Sequence, residues 1–314
     1  MTDTDTIVKE IPGSEYDWMS KNYSDTGKLF IYLALSFGLT FLWFFLTIPK
    51  GKTWDSMGIA MQSFVSLGML FPFISHIIMR WITKEGFAMT GKDSLMLGID
   101  LKQGKWKYYI LALLLPLIYT ELGNVFTLLF DRSVYDPSYY ESLGIDKKTL
   151  LLFPLNAVVT GLIGSFAALG EEGGWRGYMM PKLLKIFKAH GRIPALIIGG
   201  IIWGLWHAPL TCIGHNFGTE YFGFPYFGIV KMCVCCTLMG ILLTFVTAKT
   251  HSIWPAAFLH AVNNASPSVL NGYINPDKAN TNMWMSGTLL SLFLTVLIVL
   301  TIWKREDKML GKTI

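Results

Sequence analysis

Apolar runs of eighteen or more residues recur along the whole of this 314-residue chain. Each is long enough to cross the ~30 Å of hydrocarbon in a bilayer as a helix. A run of that length leaves little choice of fold, because hydrocarbon offers no partner to backbone N–H and C=O groups and a helix satisfies them internally. Charged residues make up only 15% of the chain, where a soluble domain carries about a quarter, and the mean hydropathy is +0.45. The expected fold is therefore all-α, a polytopic membrane helical bundle in the cell membrane, with the lipid bilayer as its first partner.

Eight spans are expected, at about 29–48, 57–81, 108–130, 150–169, 193–213, 226–248, 253–270 and 283–303. Residues 1–28 read as a polar N-terminal tail, and the first apolar run ends without a small-residue cleavage site, so it stays as the first helix. Residues 177–192 read as a short basic interfacial helix. With eight spans, 19 of the 26 Lys and Arg residues fall on the side of both termini and 6 on the other. Positive charge favours the cytoplasm, which puts both termini there. The net charge of +5 is dispersed between apolar runs, so it reports loop topology and gives no reason to expect a nucleic-acid partner. The cysteines Cys212, Cys233, Cys235 and Cys236 all lie in apolar runs without metal-finger spacing, and read as small core residues.

Against this background the ionisable residues inside the spans form a short list: His76, Glu121, Glu171, Glu172, His207, Lys231 and His260. An ionised group at membrane depth costs at least ~2.5–3.5 kcal/mol unless paired or solvated. In Gly170-Glu171-Glu172-Gly173-Gly174-Trp175-Arg176, Arg176 follows Glu172 by four residues, the spacing that joins two side chains on one helical face. Glu171 lies about 100° round the helix and escapes that arginine. One acid is thus held in an ion pair and one left for chemistry, or else both mark a helix end meeting water. His207 lies in Trp203-Gly204-Leu205-Trp206-His207-Ala208-Pro209. There Gly200, Gly204 and Ala208 make a small-residue stripe for close helix approach, and Pro209 a kink. His260 and Asn264 share a face by their spacing. Each motif alone is also read as interhelical hydrogen bonding, and His76 and Glu121 as interfacial and supporting groups. Three motifs in order offer a general base, a second proton-handling group and oxyanion donors, the parts that amide hydrolysis requires.

Glu171-Glu172-x-x-x-Arg176, Trp203-x-x-x-His207 and His260-x-x-x-Asn264 together resemble the CPBP family of intramembrane proteases. That family includes the CAAX prenyl endopeptidases of the Ras-converting type and bacteriocin-immunity-type proteins. The resemblance covers about residues 150–268, with Trp203 where the family often has Phe. It implies a protease core at 150–270, preceded by helices and connectors over 29–149 and followed by a last helix and basic tail over 271–314. It implies that Glu171 and His207 activate a water, that His260 and Asn264 hold the oxyanion, and that Glu172 and Arg176 support them. The implied partner is a membrane-associated or prenylated protein or peptide substrate; a non-catalytic immunity or scaffold protein of the same fold is the alternative. Metal dependence is open. Glu171, His207 and His260 make a zinc-type set of two histidines and a glutamate, while the lack of an HExxH motif favours a metal-free glutamate mechanism.

The straight-helix depths do not agree. His260 falls ~10 Å and His207 ~20 Å below the cytoplasmic face, with Glu171 at the surface. A sharp turn at Gly173-Gly174 is expected to keep the acids submerged, in a water-filled cavity reached from the cytoplasm.

Overall fold

The computed structural model describes residues 24–309 apart from 92, 266–267, 276–277 and 279–280. Most of the polar tail expected over 1–28 falls outside these residues. Eight helices of eleven residues or more follow one another in the described chain: α1 Asp25–Thr47, α2 Ile59–Ile82, α3 Trp106–Phe130, α4 Phe153–Ile186, α5 Arg192–Trp206, α6 Tyr226–Thr250, α7 Trp254–Asn264 and α8 Thr281–Met309. They match the eight expected segments in order, and the bundle is all-α. Six of them (α1–α4, α6 and α8) are long and apolar enough to cross a membrane.

The other two are short for physical reasons. α5 has 15 residues and stops where His207 caps it, with Pro209 in the first turn of the short helix Ala208–Thr211. A proline fits best at such a start, where its missing N–H is one of the unpaired donors anyway. α7 has 11 residues, begins with Pro255 in its first turn and ends at Asn264. Both are enclosed by longer helices: α5 packs along α6, while α7 lies against α4 and α3.

The largest departure from expectation is α4. The sequence reading ends a helix at Leu169 and starts an interfacial one near 177; the structure runs a single helical segment of 34 residues from Phe153 to Ile186. Its middle widens into a π-helical turn over Trp175–Met179. Gly173 and Gly174 make no sharp turn. A Cβ on Gly174 would lie 2.5 Å from the carbonyl carbon of Pro72, and one on Gly173 2.5 Å from the Phe73 ring. The glycines are thus the surface against which α2 closes. The depth conflict disappears, because the acids sit mid-helix. His76, expected at the interface, is fully buried within the bundle: its Nδ1–H donates to the Gly173 carbonyl at 2.7 Å, and its ring lies 4.9 Å from that of Tyr178.

Charges gather at one end of the bundle. Glu85 accepts from both Lys28 and Lys182 at 2.9 Å. Arg192 pairs with Asp307, Lys249 with Glu306, and Lys185 with Asp93. Burial pushes the Glu85 carboxyl up, but the two ammonium groups outweigh it and hold it below the usual range. Its contribution to stability is present at neutral pH and lost as pH falls through that lowered value. At the opposite end Trp54 N–H donates to Ile213 O at 2.7 Å, and Asp136 takes Lys278 at 2.9 Å.

The stripe on α5 brings its partner as close as the sequence suggested: a Cβ on Gly200 would lie 2.2 Å from the Thr237 Cα of α6, and one on Gly204 2.4 Å from that of Cys233. Gly200→Ala should therefore cost ~1–3 kcal/mol by overpacking, read as a lower thermal midpoint in detergent. An unchanged midpoint would show that α5 and α6 do not meet there.

Candidate active site

α4 carries Glu171 and Glu172 into the middle of the bundle, where they are 4% and 0% exposed. Being adjacent on a helix, they leave it about 100° apart and meet different neighbours. Glu172 faces its own helix and α7. Its Oε1 accepts from Arg176 Nη1 at 3.2 Å, one turn further on, and from His260 Nδ1 at 2.8 Å. Arg176 is itself 3% exposed, and its guanidinium carbon sits 4.2 Å from the ring centroid of Trp203. A planar cation gains from such an aromatic face, more so when desolvated.

Glu171 faces α5. Its Oε2 accepts from the Trp203 indole N–H at 2.6 Å. The same Trp203 offers its backbone carbonyl to His207 Nδ1 at 2.9 Å. A carbonyl only accepts, so Nδ1 carries the proton and the neutral ring keeps its lone pair on Nε2. The His207 ring is further fixed by Trp206, edge-on at 4.9 Å, whose indole N–H donates to Thr40 of α1 at 3.0 Å.

From α7, His260 follows Trp203 at 5.5 Å between ring centroids, and Asn264 lies one turn beyond. Asn264 Oδ1 accepts from Asn263 Nδ2 at 3.1 Å, which leaves the Asn264 Nδ2 donors for other partners. Asn263 in turn accepts from the Tyr119 hydroxyl of α3 at 2.5 Å. Glu171, His207, His260 and Asn264 all line one cavity of about 530 Å³. Glu172 and Arg176 stand behind its wall.

Glu121 is a support of another kind. Its carboxylate takes the backbone N–H groups of Val269 and Leu270 and the Ser268 hydroxyl. That clamps the segment following α7, and with it the end of the helix that carries Asn264.

Among the described residues no group of three or more His, Cys, Asp and Glu side chains stands close enough to hold a metal ion. The zinc-type set Glu171, His207 and His260 shares the cavity; one Glu171 oxygen accepts from Trp203, and the two histidines use Nδ1, not Nε2, for their bonds to the Trp203 carbonyl and Glu172.

The sequence reading treated Trp203 as an aromatic equivalent of Phe, whereas the structure makes it a hydrogen-bond donor that Phe could not replace. The signal was available, since an indole N–H buried at membrane depth needs a partner. Tyr119, Asn263 and His215 also line the cavity and were not singled out, and Cys236, read as a small core residue, lines it too. His215 lies in a loop and the others are single polar atoms on apolar helices, with no spacing to mark them.

Arg176→Ala should remove one partner of a buried pair and leave a buried charge, at a cost of ~3–5 kcal/mol. A thermal midpoint in detergent equal to that of the native chain would show that Glu172 does not depend on it.

Residues 152–266 match the family model described as type II CAAX prenyl endopeptidase Rce1-like. A curated relative, CAAX prenyl protease 2 of Methanococcus maripaludis, is 32% identical over 108 residues, which cover 33% of this chain and 38% of that protein. The match thus spans well under half the length of the relative. Residues 152–266 include Glu171, His207, His260, Asn264 and the Glu172–Arg176 pair, but not Glu121. Both findings place residues 152–266 among sequences similar to CAAX prenyl endopeptidases.

Proposed function

We propose that this chain is an intramembrane endopeptidase in which Glu171 and His207 activate a water and His260 and Asn264 stabilise the oxyanion. One observation carries the reading: of two adjacent buried acids, Glu172 is neutralised by Arg176 and His260, while Glu171 opens onto the cavity with one oxygen engaged by Trp203. Chemistry needs an acid kept free in this way, and a purely structural ion pair does not.

In the proposed reaction Glu171 Oε1 accepts a proton from water as the water oxygen attacks the peptide carbonyl carbon. His207 Nε2, the ring atom with the lone pair, holds the second hydrogen of that water and fixes its direction of approach. The developing oxyanion takes hydrogen bonds from Asn264 Nδ2 and His260 Nε2–H. A donor at Nε2 requires both His260 nitrogens to be protonated, and the carboxylate on Nδ1 compensates that charge. Two carboxylates, one guanidinium and one imidazolium then balance, so the buried group is neutral as a whole. When the tetrahedral intermediate collapses, the C–N bond breaks and the proton held by Glu171 passes to the leaving amine. Preorganised donors of this kind are each worth ~10²–10³ in rate.

Glu171→Gln is expected to abolish proteolysis while leaving expression and the thermal midpoint near those of the native chain. Peptidomic and N-terminomic comparison of cells carrying the native chain and Glu171→Gln reads this directly. Identical peptide profiles would favour the alternative, a binding or immunity protein of the same fold. Trp203→Phe keeps the ring beneath Arg176 and deletes only the donor to Glu171. It should lower kcat with KM little changed, by about tenfold for a lost hydrogen bond to a charged group; an unaltered kcat would remove Trp203 from the working site.

A further inference from the structure

Glu171 and His207 lie well away from the charged end of the bundle, while His260, six residues into α7, stands only ~9 Å from Trp254. Counting helical rise from residues at that end, Glu171 is ~16 Å from Lys182 along α4, and His207 ~22 Å from Arg192 along α5. Other lining residues are more distant still: Phe44 is ~28 Å from Asp25 along α1, and Met232 ~26 Å from Lys249 along α6. Between the charged end and the site the bundle is filled. Leu183, Leu196, Leu242, Leu243, Phe245 and Val246 are each at most 2% exposed. At the other end the cavity wall is built from the loop that joins α5 to α6, through His215, Asn216 and Phe217.

That loop, residues 212–225, contains no Lys or Arg, whereas the charged end holds Lys28, Lys182, Lys185, Arg192 and Lys249. By the charge rule the charged end is cytoplasmic and the loop is not. The loop runs on into Tyr221-Phe222-Gly223-Phe224-Pro225-Tyr226, with Phe222 89% and Tyr226 77% exposed. Exposed aromatic rings of this kind settle at the membrane–water interface, here beside the cavity mouth.

We propose that substrate enters from the extracytoplasmic face, and that it is an internal apolar segment of an exported or outer-leaflet peptide. This rests on the protease reading and reverses the cytoplasmic entry expected from the sequence. The lining supports the substrate class. It is rich in Trp, Phe, Leu and Met, and among the described lining residues Glu171 is the acid and none is Lys or Arg.

The test separates entry from catalysis. In a Cys212→Ser background, Glu220→Cys in the loop and Lys188→Cys near the charged end are probed with a membrane-impermeant maleimide. Glu220→Cys should label in intact cells, and Lys188→Cys only after permeabilisation. In parallel, sealed right-side-out and inverted vesicles containing the full chain receive a pool of internally quenched apolar peptides made impermeant by a sulfonated fluorophore. Cleavage in right-side-out vesicles should exceed that in inverted ones at least tenfold, be lost in Glu171→Gln, and appear in inverted vesicles once detergent opens them. Cleavage confined to inverted vesicles, or labelling of Glu220→Cys only from the cytoplasmic side, overturns the proposal. If no preparation cleaves even in detergent, the protease reading fails instead, and the labelling alone decides which face the cavity opens on.

Discussion

A carboxylate with no solvent access in the middle of a membrane bundle has to be compensated where it stands, and Glu172 is held in that way by Arg176 and His260. Removing either partner would leave several kcal/mol of uncompensated charge. The requirement organises its surroundings. Arg176 must lie one turn along α4, α7 must bring His260 to the same point, and Trp203 of α5 must cover the guanidinium. Three helices are thereby fixed around one charge, and each also delivers a group to the cavity: Glu171 from α4, His207 from α5, His260 and Asn264 from α7.

The π-helical turn belongs to the same arrangement. It opens the helix at Trp175–Met179, immediately after the two acids, and His76 of α2 donates to the Gly173 carbonyl just before it. Such turns are rare and gather at functional sites because they redirect side chains without ending a helix. Arg176, which pairs with Glu172, lies within this widened turn. The glycines at 170, 173 and 174 let the α2 backbone and rings press against this part of α4. Irregular backbone at membrane depth is tolerated where protein surrounds it, as it does here.

The two ends of the bundle differ in kind. One is tied by ion pairs such as Glu85 with Lys28 and Lys182, and it is packed shut beneath them. The other is bordered by loops and carries the cavity. The polarity follows from α5 and α7 being short: where a helix stops inside the bundle, its end leaves space, and His207 and Asn264 sit at those two ends.

Hydrophobic run length, a local property, determined the helical bundle, the order of its eight segments and their approximate positions. Four-residue spacings, equally local, determined that Glu172 would meet Arg176, that His260 and Asn264 would share a face, and that the Gly200–Gly204 stripe would admit a neighbour. Residues adjacent in a helix always diverge, so the separation of the two acids was legible too. Only the tertiary structure decided where helices stop. Residues 170–192 are rich in glycine and charge and read as a helix end, yet contacts with α2 and the pairing of Lys182 with Glu85 supply what the local sequence lacks, and α4 continues to Ile186. The same long-range packing turned Trp203 from an aromatic filler into a donor for Glu171. Which end of the bundle the cavity faces depends on where several helices end relative to one another, and no single segment carries that information.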